Sequence, residues 1–349
     1  MLFFETETPD GWAIPGLHGN SAADEMDGYV QGSVFLIKSE GEALIFDTGN
    51  RAPGTENSMS PRLLENLERD RVTLRWIFIS HFHYDHTGAA KELRARYGAK
   101  VVCHPIERPI VEDPLFVTRR QNAERFGTTP EQLAEDFNLA SGETLALSDP
   151  SVIERYWNFP VEVDAEVKGG DVIEVGALKL EVVDLPGHSP GQIGLWNPVT
   201  QSLYSADLSN FPSPLAPYPI GNAEKHVQSL LHAKSLRPVY YWEGHFFGTY
   251  SEAATQRRLD HLLQQQHDTS ERIVTVLGRA GRPQTIAEIL PELFPIKLDA
   301  AYPVPTGVTR RSAYAEACIQ THLHWLVARQ KVARIKDQGL VKWTVVETA

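Results

Sequence analysis

Three imidazoles and a carboxylate fall within six positions of this chain, in Ile79-Ser80-His81-Phe82-His83-Tyr84-Asp85-His86-Thr87-Gly88. They follow directly on Trp76-Ile77-Phe78-Ile79, an apolar run that reads as a buried strand ending at one edge of a sheet. In an extended or turning segment His81 and His83 project to the same side, whereas Asp85 and His86 come round the following turn and point elsewhere. That arrangement suits two adjacent metal ions better than one. Neutral imidazole nitrogen and carboxylate oxygen are ligands that a borderline cation such as zinc accepts, and packing does not account for histidines at this density.

Four residues cannot close two coordination shells, so further ligands must come from elsewhere. Three places offer one each. His188, in Pro186-Gly187-His188, follows the alternating segment Leu178-Lys179-Leu180-Glu181-Val182-Val183. Asp207 follows Ser202-Leu203-Tyr204, and His245, in Glu243-Gly244-His245, follows Pro238-Val239-Tyr240-Tyr241-Trp242. Each is a strand-like run with one potential ligand at its tip, and four such ends meeting at one sheet edge would make a metal site.

Taken in order, His81-x-His83-x-Asp85-His86, His188, Asp207 and His245 resemble the ligand set of the metallo-β-lactamase superfamily of binuclear metallohydrolases, of the glyoxalase II-like kind, over roughly residues 30 to 250. Asp47, in Leu44-Ile45-Phe46-Asp47-Thr48-Gly49, fits that family's early structural aspartate and is expected to orient a ligand or its loop. The resemblance implies that His81, His83 and His188 hold a first metal and Asp85, His86 and His245 a second, with Asp207 bridging them. It implies two zinc ions, with iron or manganese as other occupants. His83 stands where the iron-containing flavoprotein branch has a glutamate, so the zinc hydrolases are the nearer likeness. Two ions about 3.5–4 Å apart sharing a water lower its pKa from 15.7 towards about 7, which places Asp85 and Asp207 beside the nucleophile.

Strands and helices alternate through the first two thirds of the chain, which means an α/β layer structure. The resemblance sharpens this to an αββα sandwich. Ser33-Val34-Phe35-Leu36-Ile37 and Ala43-Leu44-Ile45-Phe46 read as a hairpin, and a helix runs from about Gly88 to Tyr97. Residues 1 to 30 read as an arm or edge segment. A helical insertion is expected at about 113 to 165, with a capping box at Thr129-Pro130-Glu131-Gln132 and a helix start at Asp149-Pro150. Lying over the site, it would let Arg119 and Arg120 grip a carboxylate or phosphate of the substrate. Four prolines stiffen the segment after Asp207, making Phe211 and Tyr218 candidate pocket walls.

The division expected is a catalytic domain over 1–266 and a small winged-helix domain over 267–349. The latter is read from a helix stopped by Gly278, helices at Thr285–Leu290 and Ala313–Gln330, and a hairpin about Asp337-Gln338-Gly339. Residues 268–349 carry 11 Lys+Arg against 8 Asp+Glu, while the whole chain has a net charge of −12. Phosphate contacts demand a stronger concentration of positive charge, so a structural, dimer-forming or pocket-covering role is expected in preference to nucleic-acid contact. A homodimer fits that role.

Gly187-His188-Ser189-Pro190-Gly191 matches the G-x-S-x-G elbow of serine hydrolases, but Pro190 has no N–H for an oxyanion and a strand follows, so Ser189 is not expected to be a nucleophile. Two distant cysteines, Cys103 and Cys318, suggest a reducing compartment, and neither a signal peptide nor a membrane span is readable. A soluble cytoplasmic hydrolase is therefore expected. The substrate expected is an acyl thioester or related carboxylic ester or lactone, because the mouth of the site is apolar and similar appended domains occur in the thioesterase branch. The competing expectation is a phosphodiesterase or nuclease of the same superfamily that contacts nucleic acid through the winged helix.

Overall fold

Alternation in the first hairpin sets the layering. Side chains along a strand point to opposite faces, so Phe35, Ile37, Leu44 and Phe46 enter one core and Val34, Leu36, Ala43 and Ile45 another. The computed structural model describes residues 6–14, 32–49, 61–118, 130–140, 144–145, 150–151, 154, 159–209, 221–245, 248–294, 308–309 and 313–346.

Two sheets form the centre. The first has seven strands in the order β1 (Thr6–Thr8), β2 (Gly11–Ile14), β3 (Val34–Ser39), β4 (Glu42–Phe46), β5 (Thr73–Phe78), β6 (Lys100–Cys103) and β8 (Ala165–Glu166), with the short β7 (Thr144–Leu145) lying outside it. β1 to β4 pair antiparallel, and β4, β5, β6 and β8 pair parallel. The second has six strands in the order β14 (Thr249–Tyr250), β13 (Tyr240–Trp242), β12 (Ser202–Tyr204), β11 (Ile193–Asn197), β10 (Leu178–Asp184) and β9 (Val172–Val175). β12 and β13 are parallel, and the other pairs of this sheet are antiparallel.

The inner faces share one apolar core, in which Phe35, Phe46 and Phe78 meet Leu180, Leu195, Tyr204 and Trp242. The outer face of the first sheet packs on Leu67 of the Pro61–Asp70 helix and on Ala90 and Leu93 of the Ala90–Tyr97 helix. That of the second packs on Leu230 of the Ala223–Ser235 helix and on Leu259 and Leu262 of the Glu252–Ala280 helix. The result is the expected αββα sandwich. Residues 6–14 take the edge position rather than an arm, with β1 as the outermost strand of the first sheet: Trp12, Ala13 and Ile14 are buried, and the buried Asp10 accepts from Asn197 Nδ2 at 2.9 Å and Tyr204 Oη at 2.8 Å.

The helix beginning at Glu252 departs from the sequence reading. It runs unbroken for 29 residues to Ala280, through the position 266/267 read as a boundary and through Gly278 read as its stop. A helix-interior glycine costs only about 1 kcal/mol, which the packing of Ile273 and Leu277 outweighs, and the chain turns at Gly281 in a left-handed cap with φ 61°. After it come the Ile286–Leu293 helix, closed at its start by a Thr285–Glu288 capping box, the Ala313–Ala328 helix, and a hairpin of β16 (Val332–Asp337) and β17 (Leu340–Val345).

These C-terminal elements do not close their core alone. Phe137 and Leu139, from the insertion, sit among Ile273, Leu277, Ile289, Ile319, Leu323 and Trp343. Asp136, buried at the end of the Pro130–Asp136 helix, accepts from Gln320 Nε2 at 3.0 Å, His324 Nε2 at 2.8 Å and Arg334 Nε at 2.8 Å. Asn138 exchanges two hydrogen bonds with the backbone of Val341, and β7 pairs in parallel with β15 (Val308–Thr309). Only part of the expected second insertion helix, residues 150, 151 and 154, lies among the described residues, and these are helical.

Truncating a buried phenylalanine typically removes about 3–5 kcal/mol. Phe137→Ala is therefore expected to destabilise the chain by about that amount, measured by denaturant unfolding, although Phe137 lies far along the chain from the helices whose core it fills. A loss below about 1 kcal/mol would mean that the insertion merely rests on the C-terminal elements.

Candidate metal centre

The strands carrying the candidate ligands run in one direction within each sheet and end on the same edge. Asp47 follows β4, His81 and His83 follow β5, His188 follows β10, Asp207 follows β12 and His245 follows β13. Asp85 and His86 lie on the one-turn Tyr84–Thr87 helix, and the His86 ring stays close to that of His81, with centroids 4.2 Å apart, rather than pointing away from it.

The seven side chains gather into two groups, His81, His83, His188 and Asp207 in one and Asp85, His86 and His245 in the other, with the donor atoms in each within 4.8 Å of one another. In the first, His83 Nδ1 lies 2.9 Å from both His81 Nε2 and His188 Nε2. Asp207 spans the two groups. Its Oδ2 is 3.2 Å from His188 Nε2 and 3.1 Å from His245 Nε2, and its Oδ1 is 3.2 Å from His86 Nε2. Asp85 Oδ2 stands 3.5 Å from His245 Nε2 and keeps 13% of its side-chain surface exposed, whereas His81, His86, His188, Asp207 and His245 are buried.

Asp47 sits beneath both groups. Its Oδ2 lies 2.7 Å from His86 Nδ1 and accepts from the Ser80 hydroxyl at 2.7 Å, while its Oδ1 accepts from the Ser80 N–H at 2.8 Å. With its hydrogen donated to Asp47, the Ser80 hydroxyl has only lone pairs to offer His81 Nδ1, 2.9 Å away. With Nδ1 of both imidazoles engaged in this way, the nitrogen that each turns towards the centre is Nε2. Asp47 reaches this position with a left-handed backbone, φ 56°, a conformation that costs energy and concentrates at functional sites.

The electrostatics divide along the same line. Burial holds His81, His83 and His188 below the ordinary imidazole range, to about 3 for His83 and His188, so their lone pairs are available to a cation. Burial also pulls on His86 and His245, but the carboxylates around them, Asp207 foremost, outweigh it and raise both. Asp207 itself, against the effect of burial, is held well below the usual carboxylate range by His245, His86 and His188. Neutral nitrogens converge in one group and carboxylates favour positive charge in the other, so the donor set fits divalent cations on both sides of Asp207.

The loops are held from outside the motif. Ser229 Oγ donates to the Pro186 carbonyl at 2.7 Å and Asn222 N–H to the Gly187 carbonyl at 2.9 Å, fixing the approach to His188. A buried Glu243, two residues before His245, is paired twice with Arg258, at 2.7 and 2.9 Å. The Ser189 hydroxyl donates to Glu107 at 2.7 Å, so this serine is engaged in structure. Ser80, Glu107, Ser229 and Arg258 gave no sign of these roles in the sequence, where each is an ordinary polar residue without motif spacing. Arg119, Arg120, Phe211 and Tyr218 lie outside the described residues.

Comparison with known proteins agrees with this geometry. Residues 27–245 match the family model described as the metallo-beta-lactamase superfamily. An uncharacterized protein of Mycobacterium leprae is 26% identical over 155 residues, 44% of this chain and 56% of that protein, so the chain spans little more than half of this relative's length. The hydroxyacylglutathione hydrolase GloC of Haemophilus influenzae is 23% identical over 180 residues, 52% of this chain and 67% of that one. Among solved structures, a beta-lactamase domain protein from Burkholderia ambifaria superposes with a TM-score of 0.68 at 17% identity, covering 98% of this chain and 94% of that chain. A metallo-beta-lactamase family protein from Thermus thermophilus gives 0.65 at 19% identity, over 90% and 93%. These structural likenesses concern the fold.

Removing the group that orients two ligands weakens a metal site by about 10–100-fold in known cases. Asp47→Ala is expected to lower the affinity for divalent metal by that factor, read by competition with a chromogenic chelator. Unchanged affinity would show that Ser80 and His86 are oriented without it.

Proposed function

Because the chain belongs to the metallo-beta-lactamase superfamily, we propose that it is a binuclear metal-dependent hydrolase of a thioester or a related carboxylic ester or lactone. The observation that carries the reading is Asp207, whose Oδ2 lies between His188 of one group and His245 of the other and whose Oδ1 faces His86. In this reading His81, His83 and His188 hold one cation, Asp85, His86 and His245 the other, and Asp207 joins them. Two divalent cations held there supply Lewis-acid polarisation of a carbonyl and a water acidic enough to serve as nucleophile near neutral pH. Asp85, the carboxylate of the set that solvent reaches, would accept a hydrogen bond from such a water and orient it, and Asp47 would keep Nε2 of His81 and His86 directed at the centre. Zinc is the metal proposed, since imidazole-rich sets with few carboxylates suit it.

Support for an acyl substrate comes from the relative named as a hydroxyacylglutathione hydrolase, a hydrolase of an acylated glutathione. Arg119 and Arg120 are proposed as the grip on a carboxylate of such a substrate, and Phe211 and Tyr218 as its apolar walls. The C-terminal helices and hairpin, read as a winged-helix unit, are proposed as a support for the insertion. Three cations of the hairpin favour this over nucleic-acid contact: Arg334 is paired with Asp136 and Glu135, Lys336 with Glu135 and Lys342 with Asp337. Those partners neutralise charge that phosphate contacts would need. Among the described residues no helix is long and apolar enough to cross a membrane.

Metal analysis of the purified chain is expected to give close to two zinc per chain, with turnover of acyl-glutathione, acyl-CoA or lactone substrates abolished by chelation and restored by zinc. Asp207→Ala is expected to lose both metal occupancy and turnover. Iron or manganese in place of zinc would change the metal alone. Turnover confined to an aryl phosphodiester, with salt-sensitive binding of nucleic acid, would replace the acyl reading.

A further inference from the structure

One buried carboxylate outside the seven candidate ligands and Asp47 touches two of the loops that carry them. Glu107 begins the Arg108–Glu112 helix, just past the end of β6, and is fully buried. Its Oε2 accepts from the Phe82 N–H at 3.0 Å, and its Oε1 accepts from the Ser189 hydroxyl and the Gly191 N–H, both at 2.7 Å. Phe82 lies between His81 and His83, and Ser189 is next to His188. The two segments also meet directly through the backbone, where the Ile193 N–H donates to the Ser80 carbonyl at 3.0 Å.

We propose that Glu107 is a positioning residue for the first cation, tying the His81-Phe82-His83 loop to the His188 loop so that their three imidazoles converge. The inference rests on the reading of those histidines as metal ligands.

The chemistry of the contact requires a carboxylate. All three partners are donors, and they use both oxygens. A glutamine would keep one acceptor oxygen for Ser189 and Gly191 but turn an NH2 towards the Phe82 N–H, placing donor against donor. The fit is close on the other side as well: a Cβ at Gly191 would stand 2.7 Å from His104 Nδ1 and 3.0 Å from Glu107 Oε1, so a side chain there would have to displace His104 and press on the carboxylate. None of the contacts that Glu107 makes with these loops involves Asp85, His86 or His245. The second group is held through Asp47 to His86, an acid that also reaches His81 by way of Ser80, and through the Glu243–Arg258 pair ahead of His245. Loss of Glu107 should therefore separate the two sites, which a general loss of packing would not do.

The test is stepwise zinc binding by the full chain, followed by competition with a chromogenic chelator, for wild type, Glu107→Ala, Glu107→Gln and Ser189→Ala. Wild type is expected to bind two zinc ions. Glu107→Ala is expected to keep one at wild-type affinity and to bind the other about 10–100-fold more weakly. Glu107→Gln and Ser189→Ala, which each remove part of the set, are expected to shift the same site by less. Two zinc ions bound at wild-type affinity by Glu107→Ala would overturn the proposal. So would equal weakening of both sites, which would make Glu107 a general structural group. If Glu107→Ala does not fold, unchanged affinity in both Glu107→Gln and Ser189→Ala overturns it. Failure of the wild type to bind zinc would bring down the ligand reading itself and the proposal with it, a result distinct from the others.

Discussion

The Asp47 carboxylate is the contact on which the rest of the centre depends. It takes one hydrogen bond from the Ser80 N–H, one from the Ser80 hydroxyl and one from His86 Nδ1, all between 2.7 and 2.8 Å. Through Ser80 it reaches His81 in one group of donors, and directly it reaches His86 in the other. Histidine is an ambiguous ligand because either nitrogen can carry its proton, and a neighbouring acceptor removes the ambiguity. One buried acid thus orients two imidazoles with Nε2 towards the centre. The left-handed backbone at Asp47 is sustained by these contacts and by the Asp47 N–H bond to the Phe78 carbonyl.

The sandwich supplies the convergence that such a centre needs. Seven side chains drawn from positions 81 to 245 come within reach of one another because their strands end on one edge of two facing sheets. The inner core of aromatic and branched side chains keeps those sheets in register. Isolated, each ligand loop is a turn with no preferred direction. Hydrogen bonds from the Ala223–Ser235 helix to the His188 loop, and the Arg258 pair from the long helix to Glu243, fix the loops from the outer layer. Helices packed behind the sheets therefore act on the chemistry without touching it.

The C-terminal elements and the insertion form one unit despite their separation along the chain. Ion pairs at the rim of that contact would be weak by themselves. Asp136 is different, since it is buried and meets three donors, and beside it Phe137 completes an apolar core. The continuous Glu252–Ala280 helix then couples this unit to the second sheet, because its first half packs on that sheet and its second half on the C-terminal core.

What the sequence determined by itself was the inventory: the candidate donor residues, their order, the strands that lead to them, and the layered α/β class. These are legible because they are local. A histidine at the end of an apolar run and alternation in a hairpin are both properties of a few consecutive residues. Tertiary structure decided which acids matter. Glu107 reads as an ordinary acid at a helix start, yet it accepts from partners 25 and more than 80 residues away. Asp136 reads as a helix-end charge, yet its partners lie near 320 and 334. The same limit explains the break read at residue 266, where a glutamine in a polar stretch gave no sign that the long helix would be held by two cores. A carboxylate becomes a structural centre only when distant donors are brought to it and water is excluded, and neither condition leaves a mark on the residues beside it in the chain.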